Sequence, residues 1–221
     1  RVGACGRESD APSYPDRPRR LRVAEVKRLT REDLLPPEEY ERQRERIRSQ
    51  IIELKRRRRI SVGPVITLVF ENRETLRFQT QEMVRVERIA DPGKIQDELD
   101  VYNELLPARG ELSATLLIEI TEETKMKEWL DRFMGLDHGE KLAIVSGGER
   151  AFGVFEGGHS HETKISAVHF VRFRPSDRLK RAFADLHQTI TLAVDHNGYK
   201  AEVPVPGSLR EEWLSDLHES A

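Results

Sequence analysis

The sequence predicts a single α+β domain whose mostly antiparallel sheet is built from hairpins, with flanking helices and one long helix in front. Three observations predict it. Short runs of period-two alternation recur in pairs about a turn, as in KLAIVSGG with AFGVFE and in TITLAVDH with YKAEVPV. Segments with helical periodicity separate those pairs, for example ETKMKEWLDRFMGL. Ahead of them lies a long charged stretch in which Tyr40, Ile47, Ile51 and Leu54 form one narrow stripe at near-heptad spacing. That stripe must dock on the body of the protein or on a partner helix.

Taken in order, residues 1–26 mix Gly, Pro, Ser, Asp and Arg without an apolar period and read as a disordered tail outside the domain, which then spans 27–221. The chain opens on Arg, so a start at Val26 from a GTG codon is one reading and a flexible extension the other. Thr30 and Asp33 make an N-terminal capping arrangement, and Pro36-Pro37 opens a helix to about Arg58. Glu38, Glu39 and Glu41 sit at the positive end of its dipole and Lys55 to Arg59 at the negative end. From Ile60 the period becomes that of strands, ISVGPVITLVF, with a turn at Glu71-Asn72-Arg73-Glu74 and a return through TLRF, so a hairpin is expected over 65–78. Phe78 to Ala90 then reads as a helix with Met83, Val86 and Ile89 on one face. Asp91-Pro92-Gly93 breaks it before a second helix through Ile95, Leu99, Tyr102 and Leu106.

Further on come a strand over 112–120, a helix over 123–136 and a hairpin over 141–156. A strand over 164–173 carries Ile165, Ala167, His169, Val171 and Phe173 on one face. A helix from Pro175 to about Leu186, a hairpin over 189–205 turning at Asn197-Gly198, and a short last helix, SLREEWLSDL, complete the chain.

The composition is 37% hydrophobic and 34% charged, polar for a globular protein yet apolar enough after residue 60 to bury a core. The net charge of −2 hides an asymmetry of +2 over residues 1–26, +5 over 27–59 and −9 over 60–221. A basic helical arm precedes an acidic body. The one cysteine, Cys5, leaves no internal disulfide and no thiolate cluster. With no apolar run long enough to span a membrane and no secretory h-region, a soluble, cytoplasmic protein is expected.

Lys55, Arg56, Arg57, Arg58 and Arg59 have the cation density that phosphate or nucleic-acid binding needs, but no aromatic residue lies between Ile47 and Val69 to stack on bases. The same run equally suits a helix C-terminus paired with the acidic body. His159-Ser160-His161 has H-x-H spacing, and the glycines beside it suit a solvated loop as well as a metal. His169 and His196, with a carboxylate such as Glu82 or Glu119, are the other candidate metal ligands, although a histidine inside an apolar strand is commonly a hydrogen-bonded core residue. Asp195, His196 and Tyr199 flank one turn and offer acid–base groups, where turn chemistry accounts for Asp195 and Asn197 as well. Glu71, Asn72, Arg73, Gln79, Gln81, Glu82 and Arg85 form a polar patch suited to a partner, and Gln79 and Gln81 suit helix capping. No nucleophile elbow, Walker A loop or dinucleotide fingerprint follows a strand, so no catalytic motif is present and a non-enzymatic role is favoured.

The words KRLTREDLLPPEEYERQR, KRRRRISVGPVITLVFENRETLRFQTQEMVRVERI, ELDVYNELLP, LSATLLIEI, KISAVHFVRF and VDHNGY, in that order, resemble the bacterial family known as domain of unknown function 3501, over about Lys27 to Leu217. The resemblance implies no reaction. It implies a genetic setting beside rubrerythrin-like proteins and iron–sulfur proteins, hence an accessory or binding protein with a redox partner in oxidative stress or electron transfer. His169 and His196 lie within family words, whereas His159 and His161 do not. Two alternatives remain, a metal-binding protein or metal-dependent enzyme using His169 and His196, and a nucleic-acid binder using the cation run. No cofactor is evident beyond the metal ion that the first alternative would need.

Overall fold

Alternation of apolar residues gives eight antiparallel strands among the described residues, which in this computed structural model are 27–156 and 166–219. They are β1 (Arg59–Val62), β2 (Ile66–Glu71), β3 (Leu112–Ile118), β4 (Leu142–Ser146), β5 (Glu149–Phe155), β6 (Val168–Phe173), β7 (Thr191–His196) and β8 (Tyr199–Pro204). The helices are α1 (Pro37–Arg57), α2 (Arg73–Val86), α3 (Pro92–Glu104), α4 (Met126–Phe133), α5 (Asp177–Ala184) and α6 (Gly207–Glu219). Strand order is β1-β2-β3-β6-β5-β4-β7-β8.

The sheet curls until its two edges meet, which makes it a nearly closed barrel. β1 and β8 share no ladder, yet they touch, and the Tyr199 hydroxyl of β8 donates to the Val62 carbonyl of β1. Gly63, at φ 73°, lets the edges approach, because a Cβ there would collide with that hydroxyl. Inward residues include Leu68 and Phe70 of β2, Ala114 and Leu116 of β3, Val171 and Phe173 of β6, and Leu192 and Val194 of β7, all buried. Phe133 of α4, Phe183 of α5 and Trp213 of α6 join the same core, with the Trp213 ring 4.7 Å from Phe70 and 5.1 Å from Phe183. A second, smaller core of Leu29, Leu76, Leu99, Leu105 and Leu106, with Phe170 against it, lies where α2 and α3 cover the outer face of the sheet.

The α+β class holds, and the stretch after β2 corrects the expectation. The first hairpin is β1–β2, turning at 63–65, and no strand follows Glu71. Asn72 is instead the cap of α2, its side chain accepting from the Thr75 amide at 3.0 Å while Thr75 Oγ1 accepts from the Asn72 amide at 3.0 Å. That reciprocal cap starts the helix at Arg73 rather than Phe78 and turns Thr75, Leu76, Thr80, Gln81 and Val84 inward, leaving Val86 exposed. Gln79 and Gln81 are therefore helix-interior residues, not caps. Ser176 caps α5, its hydroxyl accepting from the Leu179 amide at 3.2 Å, so that helix begins at Asp177, and it ends at Ala184. Of the α1 stripe, Tyr40 and Ile51 are buried, and Ile47 and Leu54 half-buried. The readings placed on residues 1–26 and on His159 and His161 fall outside the described residues. Among the described residues no helix is long and apolar enough to cross a membrane.

Candidate functional site

α1 lies beside α2, and one carboxylate fastens the two. Tyr40 and Arg44 stand one turn apart on α1, Glu82 and Arg85 three residues apart on α2, so each pair shares a helix face. Glu82 accepts from the Tyr40 hydroxyl at 2.7 Å, from Arg44 Nε and Nη2 at 2.8 Å each, and from Arg85 Nε at 3.1 Å. The two-point Arg44 contact matches guanidinium to carboxylate geometry. Arg44, followed by the Tyr40 and Arg85 hydrogen bonds, holds the Glu82 carboxyl down at about 2. Burial, with the Glu82 charge beside it, pushes the Tyr40 phenol well above its ordinary range.

Two depressions flank this cluster. Toward the start of α1 is a pocket of about 430 Å³ lined by Pro37, Tyr40, Glu41, Gln81, Val84, Arg85, Arg88, Ile89 and Ala90. Toward its end is a groove of about 450 Å³, floored by Ile51, Ile52, Val69 and Phe78 and rimmed by Arg48, Lys55, Arg56, Arg59 and Glu82.

Each member of the cation run lies against a carboxylate, on the body for all but Arg56, whose partner is on α1 itself. Lys55 lies 3.7 Å from Glu71, Arg56 3.1 Å from Glu53, Arg57 2.8 Å from Glu212 and Arg59 2.7 Å from Glu119. Arg58 is wholly buried, with Nε on the Phe70 carbonyl at 2.9 Å, Nη1 on Glu212 at 2.8 Å and Nη2 on Asp216. Arg58 is thus no phosphate ligand on a free surface.

Of the polar patch expected to meet a partner, Glu71 and Gln81 are buried and Asn72, Arg73, Gln79, Glu82 and Arg85 are half-buried. Glu71 is buried and accepts from Thr115 Oγ1 at 3.0 Å, and Asn72 caps α2. Arg73 reaches Asp33 at 2.6 Å, and Gln79 is half-buried. Gln81 accepts from the Leu35 amide at 2.7 Å and donates to the Leu35 carbonyl at 3.2 Å, which fixes the segment ahead of α1. Glu82 and Arg85 belong to the cluster between α1 and α2.

The candidate metal ligands are not brought together. His169 points into the barrel from β6, its Nε2 2.8 Å from the Ser166 carbonyl and its ring edge-on to Phe155. His196 ends β7, which β5 and β4 separate from β6, with Nε2 3.0 Å from the Met134 carbonyl. Burial, the larger effect, depresses the His196 imidazole and favours its neutral form. Glu82 lies outside the barrel, and Glu119 is paired with Arg59. Among the described residues no three of His, Cys, Asp and Glu come within reach of one metal. The Asp195, His196 and Tyr199 group is likewise split, since Asp195 faces solvent beside Lys200 and His196 faces inward.

A family model described as protein of unknown function (DUF3501) matches residues 28–217. Among solved structures, the fold is similar to the crystal structure of a novel protein of unknown function from Burkholderia pseudomallei K96243. The two are 30% identical and superpose with a TM-score of 0.77 over 86% of this chain and 98% of the other. Comparison with curated proteins found no match.

Proposed function

The chain belongs to the DUF3501 family of proteins of unknown function, and we propose that it is an accessory protein that docks an acidic, apolar-anchored segment of a partner protein between α1 and α2. One observation carries this reading, the groove with an apolar floor and a basic rim. Ile52, on its floor, stays 52% exposed. Covering an isoleucine of that exposure contributes on the order of 1 kcal/mol, and the half-buried Phe78 beside it adds further apolar surface for a helix or strand to cover, Ile51 and Val69 being already buried. The rim supplies the complement for carboxylates: Arg48 makes no ion pair among the described residues, and Arg56, paired only with Glu53 one turn away on an exposed face, is free to exchange partners.

The same features favour a protein over a nucleic acid. The carboxylates that already hold Lys55, Arg57, Arg58 and Arg59 reduce the counterion release on which phosphate binding depends. The groove floor, though it includes Phe78, is otherwise aliphatic and offers no run of stacking rings. The partner class we favour is a rubrerythrin-like or iron–sulfur electron-transfer protein, the setting that the family resemblance implies.

The test titrates the chain with a purified rubrerythrin-like protein, with an iron–sulfur protein and with a single-stranded oligonucleotide, and repeats each titration with Ile52→Asp combined with Arg56→Glu. Binding to one of the proteins that falls at least tenfold in the double variant supports the reading. Undiminished binding by that variant, or binding to the oligonucleotide alone, refutes it.

A further inference from the structure

We propose that the pocket where the start of α1 meets the end of α2 binds a small monocarboxylate with an apolar body, gripped by Arg88 at its mouth. The inference is independent of the groove reading above. It rests on how α2 ends. The Ile89 amide donates back to the Val84 carbonyl at 2.9 Å and the Arg88 amide to the Arg85 carbonyl at 3.2 Å, the paired bonds of a Schellman turn. Such a turn needs its penultimate residue in the left-handed region, where glycine and asparagine are the favoured residues. Here it is Arg88, at φ 54°.

Among the described residues the arginine makes no side-chain hydrogen bond or ion pair that would offset this backbone cost. Its side chain is exposed and enters no ion pair among the described residues. That holds although the depression on its other side carries Glu87, Asp91, Asp97 and Glu98. A strained cation without a structural partner, at the lip of a cavity, is a reason to look for a ligand.

The cavity fits one. Its volume of about 430 Å³ lies within the range of small-molecule sites. The turn folds Ile89 back beside Val84 to make an apolar wall, and Tyr40 contributes from α1. Arg85 reaches the same space, held in place by Glu82 and lying 3.6 Å from Glu41. Behind the lining, Arg44 and Glu82 balance one another, so Arg85 and Arg88 against Glu41 leave a single net positive charge among these five groups, which suits a monoanion better than a phosphate or a dianion.

Backbone amide NMR of the full chain, titrated with 3-phenylpropionate and separately with its neutral isostere 3-phenylpropanamide, tests this. The carboxylate is expected to shift the amides of residues 84–90 and of Tyr40, and to bind roughly tenfold or more tightly than the amide, as one lost charge-assisted hydrogen bond implies. Arg88→Gly is the decisive variant, because it removes the guanidinium while relieving the left-handed strain. It is expected to melt at the same temperature or higher and to bind the carboxylate roughly tenfold or more weakly. Equal affinity for acid and amide, no shift at millimolar 3-phenylpropionate, shifts confined to the groove at Ile52 and Phe78, or an Arg88→Gly protein that binds like the parent would each overturn the proposal.

Discussion

Arg58→Met is the perturbation that separates a structural from a surface role for the cation run. The Arg58 guanidinium sits at 0% exposure where the end of α1 meets α6, bonded to the Phe70 carbonyl, Glu212 and Asp216. Methionine keeps much of the volume but withdraws the charge from a buried Asp216 and from Glu212. Removing one partner of a buried ion pair costs about 3–5 kcal/mol, chiefly because the remaining charge stays in low dielectric. For a domain of this size that corresponds to a fall of roughly 6–20 °C in Tm. Arg56→Met is the control, since its side chain is 76% exposed and among the described residues pairs only with Glu53 on the same helix. Its expected effect is within about 0.5 kcal/mol. Urea unfolding followed by far-ultraviolet circular dichroism measures both. If Arg58→Met is no more destabilised than Arg56→Met, the keystone reading of Arg58 is wrong, and the run has to be considered again as a ligand surface.

Other expectations follow from the same contacts. The Glu82 carboxyl is depressed in the folded protein, so the stability it contributes is complete above the ordinary carboxylate range and is lost as pH falls from about 4.5 toward about 2. Glu82→Gln should be less stable than the parent by roughly 1–2 kcal/mol at pH 7, allowing for partial solvent screening, and the gap should narrow on acidification. A gap independent of pH would refute the linkage. Asn72→Ala removes the reciprocal cap of α2 and should cost about 1 kcal/mol, with amide exchange accelerating first at residues 73–76. Gly63→Ala should force β1 away from Tyr199, destabilising by more than the about 1 kcal/mol typical of a left-handed glycine alone. Near-ultraviolet circular dichroism of Tyr199 and its neighbour Trp129 would report the shift.

How much of this was legible in the sequence divides along a physical line. Hairpins β4–β5 and β7–β8 and helix α1 announce themselves through local period and turn chemistry, and they stand close to where the residues place them. After β2, Glu71-Asn72-Arg73-Glu74 has the composition of a reversing turn, yet Asn72 and Thr75, three apart, carry the marks of a helix start. Both readings use the same residue types, and only the inward rhythm of Thr75, Leu76, Thr80 and Val84 separates them. Barrel closure was out of reach, because Tyr199 and Val62 stand 137 residues apart and nothing local marks them as neighbours. The candidate site failed to show for the same reason. Tyr40 and Arg44 declare a shared helix face, as do Glu82 and Arg85, but only the packing of α1 on α2 turns the two pairs into one cluster with a cavity on either side. Arg88 is the exception that a sequence reader has reason to notice. A helix running through Val86 must stop before Asp91-Pro92-Gly93, and the residue at its left-handed stop is an arginine where glycine would be easier. Such a side chain, in the left-handed region and in no ion pair among the described residues, marks where a ligand is to be sought.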